Sequence, residues 1–420
     1  MTILHAGSLL RRRRPGNDGG RTDCQGREPT TDALPSAPPL VTWRSRHGAE
    51  PAVYRSEWHF SALTLTGVFA IAAAAVLPTL IAFGGVSNRA GRRPVLLLAI
   101  LFIAASDLVF LGAAGVSWLY AGRILAGVGI GLVAGTAVAA MADFDVDHDH
   151  AARTGALATV SGQAVAPLAA GLLAQYAPMP TKLVFVLDLV VLVIIFGCLL
   201  QIPETVPGAR WTDWHPKVVL GLPRPSRPAF ALASLAAFGA FAVMGIVAAL
   251  GPTFAAEVLH QTSRAAGGGV VFALLAVSAA AQLAGRRAAI RSCLLTGPLL
   301  LACGLGLIIL SKPAASIAIF MAGIGVAGGG QGLSYLGSQR LLDQHVGAAE
   351  RAGAFAAFFI VLYAGTAAGA LGVGLLTGPL QLFQAMASLA IAVIVMALVT
   401  AAVSLRSTIV DVPGPATGAT

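Results

Sequence analysis

Long apolar runs separated by short basic loops set the tightest limit on what this chain can become. About 20 apolar residues cross a bilayer as a helix. Eleven such runs are present, at 59–83, 94–115, 118–141, 154–176, 182–202, 229–250, 267–285, 292–310, 315–338, 352–376 and 381–404. They are too long for strands and do not alternate polar with apolar residues, so each is read as a helix. Composition agrees: 57% of the 420 residues are hydrophobic and 11% charged, and the mean hydropathy is +0.81. A soluble domain carries about 25% charge because its surface faces water. Here one core cannot hide the apolar residues, and much of the surface must meet lipid. The 49 glycines cluster with alanine inside the runs, which suits close helix contact in a membrane.

A polar, Pro-rich break at 203–228 divides five runs from six. This predicts an all-α membrane protein: a segment 1–48 without spanning helices, a five-helix bundle 49–202, a cytoplasmic linker 203–228, a six-helix bundle 229–405 and a disordered tail 406–420. Alternate loops carry Arg89, Arg92, Arg93, Arg153, Arg210, Lys217, Arg224, Arg227, Arg286, Arg287, Arg291, Arg340 and Arg351, against Lys182, Arg264 and Lys312 in the others. Basic loops stay cytoplasmic, so the C-terminus is expected inside. The same placement assigns the net charge of +9 to topology and not to nucleic-acid binding. Cys24, Cys198, Cys293 and Cys303 are scattered, with neither disulfide nor zinc spacing.

Three segments carry mechanism. The first is the loop Gly84-Gly85-Val86-Ser87-Asn88-Arg89-Ala90-Gly91-Arg92-Arg93-Pro94; its glycines permit a tight turn and its arginines anchor it at a headgroup surface. The second runs from Tyr120 through Arg123 to a glycine stripe, Gly127, Gly131 and Gly135. An arginine within an apolar run needs a partner, a cavity or the interface, and the stripe suits helix packing. The third is Gly162-Gln163-Ala164-Val165-Ala166-Pro167-Leu168-Ala169-Ala170-Gly171, where proline should kink a helix among small neighbours.

In order and topology these segments resemble the major facilitator superfamily over roughly 50–405. The resemblance implies two pseudo-symmetric bundles and transport by alternating access. It makes Gly84, Asn88, Arg89, Gly91, Arg92 and Arg93 an inner-gate loop, with Asn88 at the acidic position. Asn brings no charge to a helix N-terminus. It links Arg123 to proton coupling and reads Gly162, Pro167 and Gly171 as an exporter's kink motif, with Ala166 and Ala170 at two of that motif's glycine positions. Ile202-Pro203-Glu204-Thr205 resembles the step that ends the sixth helix in relatives, and Arg286-Arg287 a worn second copy of the basic loop.

Asp107 and Asp188 also lie within runs. A carboxylate there costs about 2.5–3.5 kcal/mol on insertion scales, which makes each a coupling candidate alongside Arg123; the bland alternative is an acid bonded to neighbouring backbone. Gln163, Gln282, Gln331 and Tyr335, with Ser334, are cavity candidates or interhelical glue. No nucleophile–base pair is visible, so no enzyme activity is expected. Gly323, Gly325 and Gly328 spell a dinucleotide fingerprint without the strand it needs, and no cofactor is expected. Asp143, Asp145, Asp147, His148, Asp149 and His150 lack the glycine and glutamate of a calcium loop; a solvated loop without metal is the expectation. Arg11 to Arg14 read as part of a disordered tail.

By the resemblance, 59–83 corresponds to the superfamily's second helix. Residues 1–50 hold no spanning run, and an odd helix count places Arg11 to Arg14 outside, against the basic-residue rule. The expectation is a lost first helix, with 1–48 unrelated sequence. The function expected is proton-coupled efflux of a small molecule by a monomer in a bacterial-type inner membrane. An importer of sugars or organic acids, or a transport-inactive remnant, are the alternatives. The orientation is directly testable. Green fluorescent protein fused after Thr420 is expected to fluoresce and alkaline phosphatase fused there to be inactive; the opposite pair of results would reverse the topology.

Overall fold

In lipid no water competes for backbone groups, so each apolar run must satisfy its own N–H and C=O groups as a helix. The computed structural model describes residues 62–83, 86–144, 162, 165–177, 179, 182–204, 206, 226–257, 264–346, 351–376 and 380–407. Its helices are α1 (Ala62–Phe83), the single turn α2 (Ser87–Ala90), α3 (Arg92–Leu111) and α4 (Val116–Phe144). They continue with α5 (Val165–Tyr176), α6 (Leu183–Gln201), α7 (Arg227–Glu257), α8 (Arg264–Gly285), α9 (Ile290–Ser311), α10 (Ile317–His345), α11 (Arg351–Leu376) and α12 (Leu382–Arg406). Ten of the eleven expected runs contain one long helix, and in 154–176 the described helix is the shorter α5. Among the described residues nine helices are long and apolar enough to cross a membrane, and α5 and the Ala70–Phe83 part of α1 are shorter apolar stretches. Residues 1–61, most of the linker and 408–420 lie outside the described residues, and with them the expectation of a lost first helix.

Helix ends differ from the hydropathy reading where local chemistry overrides it. α10 runs on to His345, beyond the expected end at 338. Its last turns keep Leu341 and Leu342 fully buried, and Arg340 donates to the carbonyl of Ala288 at 2.7 Å. That polar stretch is amphipathic and packed, so it stays helical although its mean hydropathy falls. At the other end of α10, Ser316 Oγ accepts from the N–H of Ile319 at 3.3 Å and caps the first turn.

Two apolar cores result. One gathers α1, α3, α4 and α6; the other gathers α7 to α12, with α7 packed against α8, α9, α10, α11 and α12. Large apolar side chains point outward instead on α6 (Val190, Val193, Ile194) and α12 (Ile391, Val395, Val399), as lipid-facing helices require. The halves meet along α1 and α11. Tyr363 of α11 is buried in the first core, with Phe359 and Ala367 packed against it one turn to either side.

Glycine sets how near the helices come. A Cβ on Gly369 of α11 would lie 2.1 Å from the carbonyl oxygen of Ala242 on α7, and one on Gly332 of α10 would lie 2.2 Å from that of Ser278 on α8. In the first half, Gly127 and Gly131 of α4 lie against Ala72, Ala75, Val76 and Thr79 of α1, as the glycine stripe predicts. Gly323 and Gly328, two glycines of the spurious dinucleotide fingerprint, press on α9 and α8 in the same way. Gly306 has open space at its Cβ position. Gly369→Val should therefore lower stability by about 1–3 kcal/mol through overpacking. Gly306→Ala should raise it by about 0.5–1 kcal/mol through helix propensity. Thermal unfolding of the detergent-solubilised protein separates the two.

Candidate functional site

The basic end of the first half is built around one carboxylate. After α1 the chain turns at Val86, which is fully buried, makes the single turn α2, and enters α3 through Gly91 at φ +95°. This glycine is required twice over. Its backbone conformation is one side chains avoid, and a Cβ there would sit 2.6 Å from Glu204 Oε2. Glu204 accepts from the N–H groups of Arg92 at 2.8 Å and Arg93 at 3.0 Å, and from that of Val206 at 3.1 Å. An anion thus sits on the exposed donors at the N-terminus of α3, where the helix dipole favours it. The arginine side chains lace the same turn. Arg92 donates to Ser87 Oγ at 2.7 Å and Arg93 to the carbonyl of Leu200 at 2.8 Å. These bonds stitch the loop to the end of α6. Gly84 and the side chain of Asn88 lie outside the described residues.

The three coupling candidates lie on neighbouring helices near the opposite end of the same bundle. Ser106 of α3 donates to the carbonyl of Gly122 on α4 at 2.8 Å. The Arg123 guanidinium lies 5.8 Å from the centre of the Phe110 ring, and Phe110 stacks on Phe185 of α6 at 4.9 Å. Asp107 is one turn from Phe110, and Asp188 one turn from Phe185. Asp107 is 0%, Arg123 3% and Asp188 4% exposed, so snorkelling of Arg123 to the headgroups is excluded. Each of the three residues is engaged in an interaction. The sequence marks each residue singly but not the packing of the helices that carry them.

In the second half Gln282, Gln331 and Tyr335 fall into two neutral polar groups. Ser278 of α8 donates to Oε1 of the buried Gln331 on α10, and Gln282 Nε2 donates to Ser278 Oγ at 3.2 Å. Gln339 donates to the Tyr335 hydroxyl at 2.7 Å, and the Tyr335 ring packs edge-on to Phe241 of α7 at 5.2 Å. Ser278 and Gln339 were not singled out from sequence: Ser278 sits among small residues of its span, and Gln339 falls just beyond the expected end of its run at 338. Gln163 lies outside the described residues. The kink motif marks a second seam between the halves. A Cβ on Gly268 of α8 would be 2.5 Å from the carbonyl of Pro167 and 3.0 Å from Gly171 Cα, and Gly162, Pro167 and Gly171 are buried.

Two helical halves that meet along α1–α11 and α5–α8, with a basic loop latched at one end, have a counterpart in sequence. The chain matches the Major Facilitator Superfamily over residues 48–370. It belongs to that superfamily. No curated protein matches the chain by sequence. Solved superfamily-type transporters share its fold. A bacterial homolog of the human lysosomal transporter Spinster, inward-facing and unoccupied, aligns at TM-score 0.70 and 15% identity over 87% of this chain and 93% of its own. A POT family transporter in complex with 5-aminolevulinic acid aligns at 0.71 and 12% over 88% and 95%. The nucleoside transporter NupG aligns at 0.66 and 11% over 87% and 97%.

Glu204 is the residue of this turn that can be tested in isolation. Glu204→Ala should cost about 1 kcal/mol, as loss of a helix cap does. Glu204→Gln keeps a carbonyl acceptor and should lose less. Thermal midpoints of the purified variants give the comparison; equal values for Ala and wild type would exclude the cap.

Proposed function

We propose that this chain is a secondary transporter that exports a small molecule in exchange for protons. Residues 49–202 would rock against 229–405 about the α1–α11 and α5–α8 seams, in the manner of alternating access. The observation that carries the reading is the burial of Asp107, Arg123 and Asp188 on the neighbouring helices α3, α4 and α6. Ionisable groups within a membrane span are costly and mark ion or proton pathways. A carboxyl that can gain or lose its charge beside a fixed guanidinium supplies the exchangeable proton. The arginine stays charged throughout and serves as the electrostatic reference.

The polar groups Gln331–Ser278–Gln282 and Tyr335–Gln339 support the substrate's contact with the second half. Their amides and hydroxyls can both donate and accept, which suits a hydrogen-bonding small molecule. The loop from Ser87 to Arg93, capped by Glu204, acts as the latch at the cytoplasmic end, and the C-terminus lies on that side. The chain works as a monomer in the inner membrane of a bacterial-type cell, with no cofactor.

Reconstitution tests the reading. Proteoliposomes with an imposed proton gradient should drive flux of a compound drawn from a broad panel. Arg123→Ala should cut that flux about tenfold or more, since breaking a buried pair exceeds the roughly 1.4 kcal/mol that a factor of ten requires. Arg123→Lys keeps a charge without the planar fork and should fall between. Flux indifferent to the gradient would remove proton coupling. No flux from well-inserted protein would favour the inactive remnant.

A further inference from the structure

The six apolar runs of the second half, 229–250, 267–285, 292–310, 315–338, 352–376 and 381–404, contain no Asp, Glu, Lys, Arg or His. A low-dielectric interior tolerates a charge only when it is paired. A solute that passes between the two halves must therefore take a counter-charge from the first half or carry no charge itself. Away from their ends, the runs of the first half carry Asp107, Arg123 and Asp188. All three are buried, on helices that pack within that half: α3 lies on α4 and α6. The Arg123 guanidinium sits against Phe110, which stacks on Phe185 of α6, and both rings belong to the first core. The helices of the two seams differ. α1 and α5 have no acidic or basic residue, and α8 and α11 carry one each at their first residues, Arg264 and Arg351.

The groups that the second half does offer are neutral. Ser278 and Gln282 bond with Gln331 between α8 and α10, and Gln339 with the Tyr335 hydroxyl. Gln282, Tyr335 and Gln339 are half-buried. A polar group with an open face in a membrane protein turns it inward, away from lipid. Arg340, next to Gln339, reaches instead to the Ala288 carbonyl in the turn between α8 and α9. Aromatic rings accompany the neutral groups: Tyr335 packs edge-on to Phe241, and Phe359 and Tyr363 cross the α1–α11 seam. Amides, hydroxyls and ring edges together suit an uncharged arene that also accepts hydrogen bonds.

We infer that the substrate is an electrically neutral aromatic molecule with a hydrogen-bond acceptor, and that ions of the same size are rejected. The inference rests on the transport reading above and names the substrate class for it. Charge is excluded because the second half has nothing to pair with it and the first half keeps its own charges enclosed. Organic acids and quaternary cations fall outside the class.

Three probes of similar shape separate charge from size: neutral triphenylphosphine oxide, the cation methyltriphenylphosphonium and the anion methyltriphenylborate. Equilibrium dialysis against the full-length chain in lipid nanodiscs, with empty nanodiscs subtracted, gives their binding. The oxide should bind saturably, and both ions at least about tenfold more weakly, as an unpaired charge in a membrane interior requires. Tyr335→Phe removes one hydroxyl and keeps the ring, and should weaken oxide binding about threefold to tenfold. Gln282→Leu should act in the same direction and stands in if the first variant fails gel filtration. An ion that binds as well as the oxide, or no saturable oxide binding, would overturn the inference. So would oxide binding that neither variant changes, since the contact would then lie elsewhere. Binding is read without a gradient. Oxide binding without flux in proteoliposomes would end the transport reading and leave the neutral site standing. Gradient-driven flux of either ion would do the reverse.

Discussion

Apolar helices in a bilayer gain nothing by hiding from a solvent as apolar as they are. Their association rests on how closely backbones approach and on the few polar contacts between them. This constraint organises the molecule. Gly369 on Ala242, Gly245 on Thr366 and Gly332 on Ser278 each bring a glycine so near a neighbouring carbonyl that a methyl group would overlap it. Gly268 does the same across the halves, on Pro167. The two bundles thus touch through glycine and through a stripe of three α11 side chains, Phe359, Tyr363 and Ala367, that enter the first core.

Polar chemistry is then divided between the halves. Among the described residues the first half has a carboxylate on the N-terminus of α3 at the basic end, and the buried Asp107, Arg123 and Asp188 on α3, α4 and α6. The second carries amides, hydroxyls and a phenol along α8 and α10. Charge is costly in lipid and must be locally balanced, whereas neutral groups need only a hydrogen-bond partner.

Much of this was legible in particular residues. The run 182–202 is so uniformly apolar that only a membrane helix fits it, and α6 covers Leu183–Gln201. Gly91 between basic residues announced a turn, and its φ of +95° is the reason. Glu204 was visible as part of a superfamily step, yet its place on α3 was not, because the partners lie 112 and 111 residues away. The end of α10 was misjudged for a related reason. Hydropathy averages a window, while Leu341 and Leu342 are held by neighbours the window does not contain.

The amino-acid sequence by itself determined that this chain crosses a membrane repeatedly as helices, because apolar length and the position of arginine are local properties that lipid and water read residue by residue. It also marked Asp107, Arg123 and Asp188 individually, since a charge in an apolar run stands out alone. Only the tertiary structure decided that all three lie buried on neighbouring helices, and that the arginine is 3% exposed and does not reach the headgroups. Burial is a property of a volume, and the chain fills that volume from three separate helices.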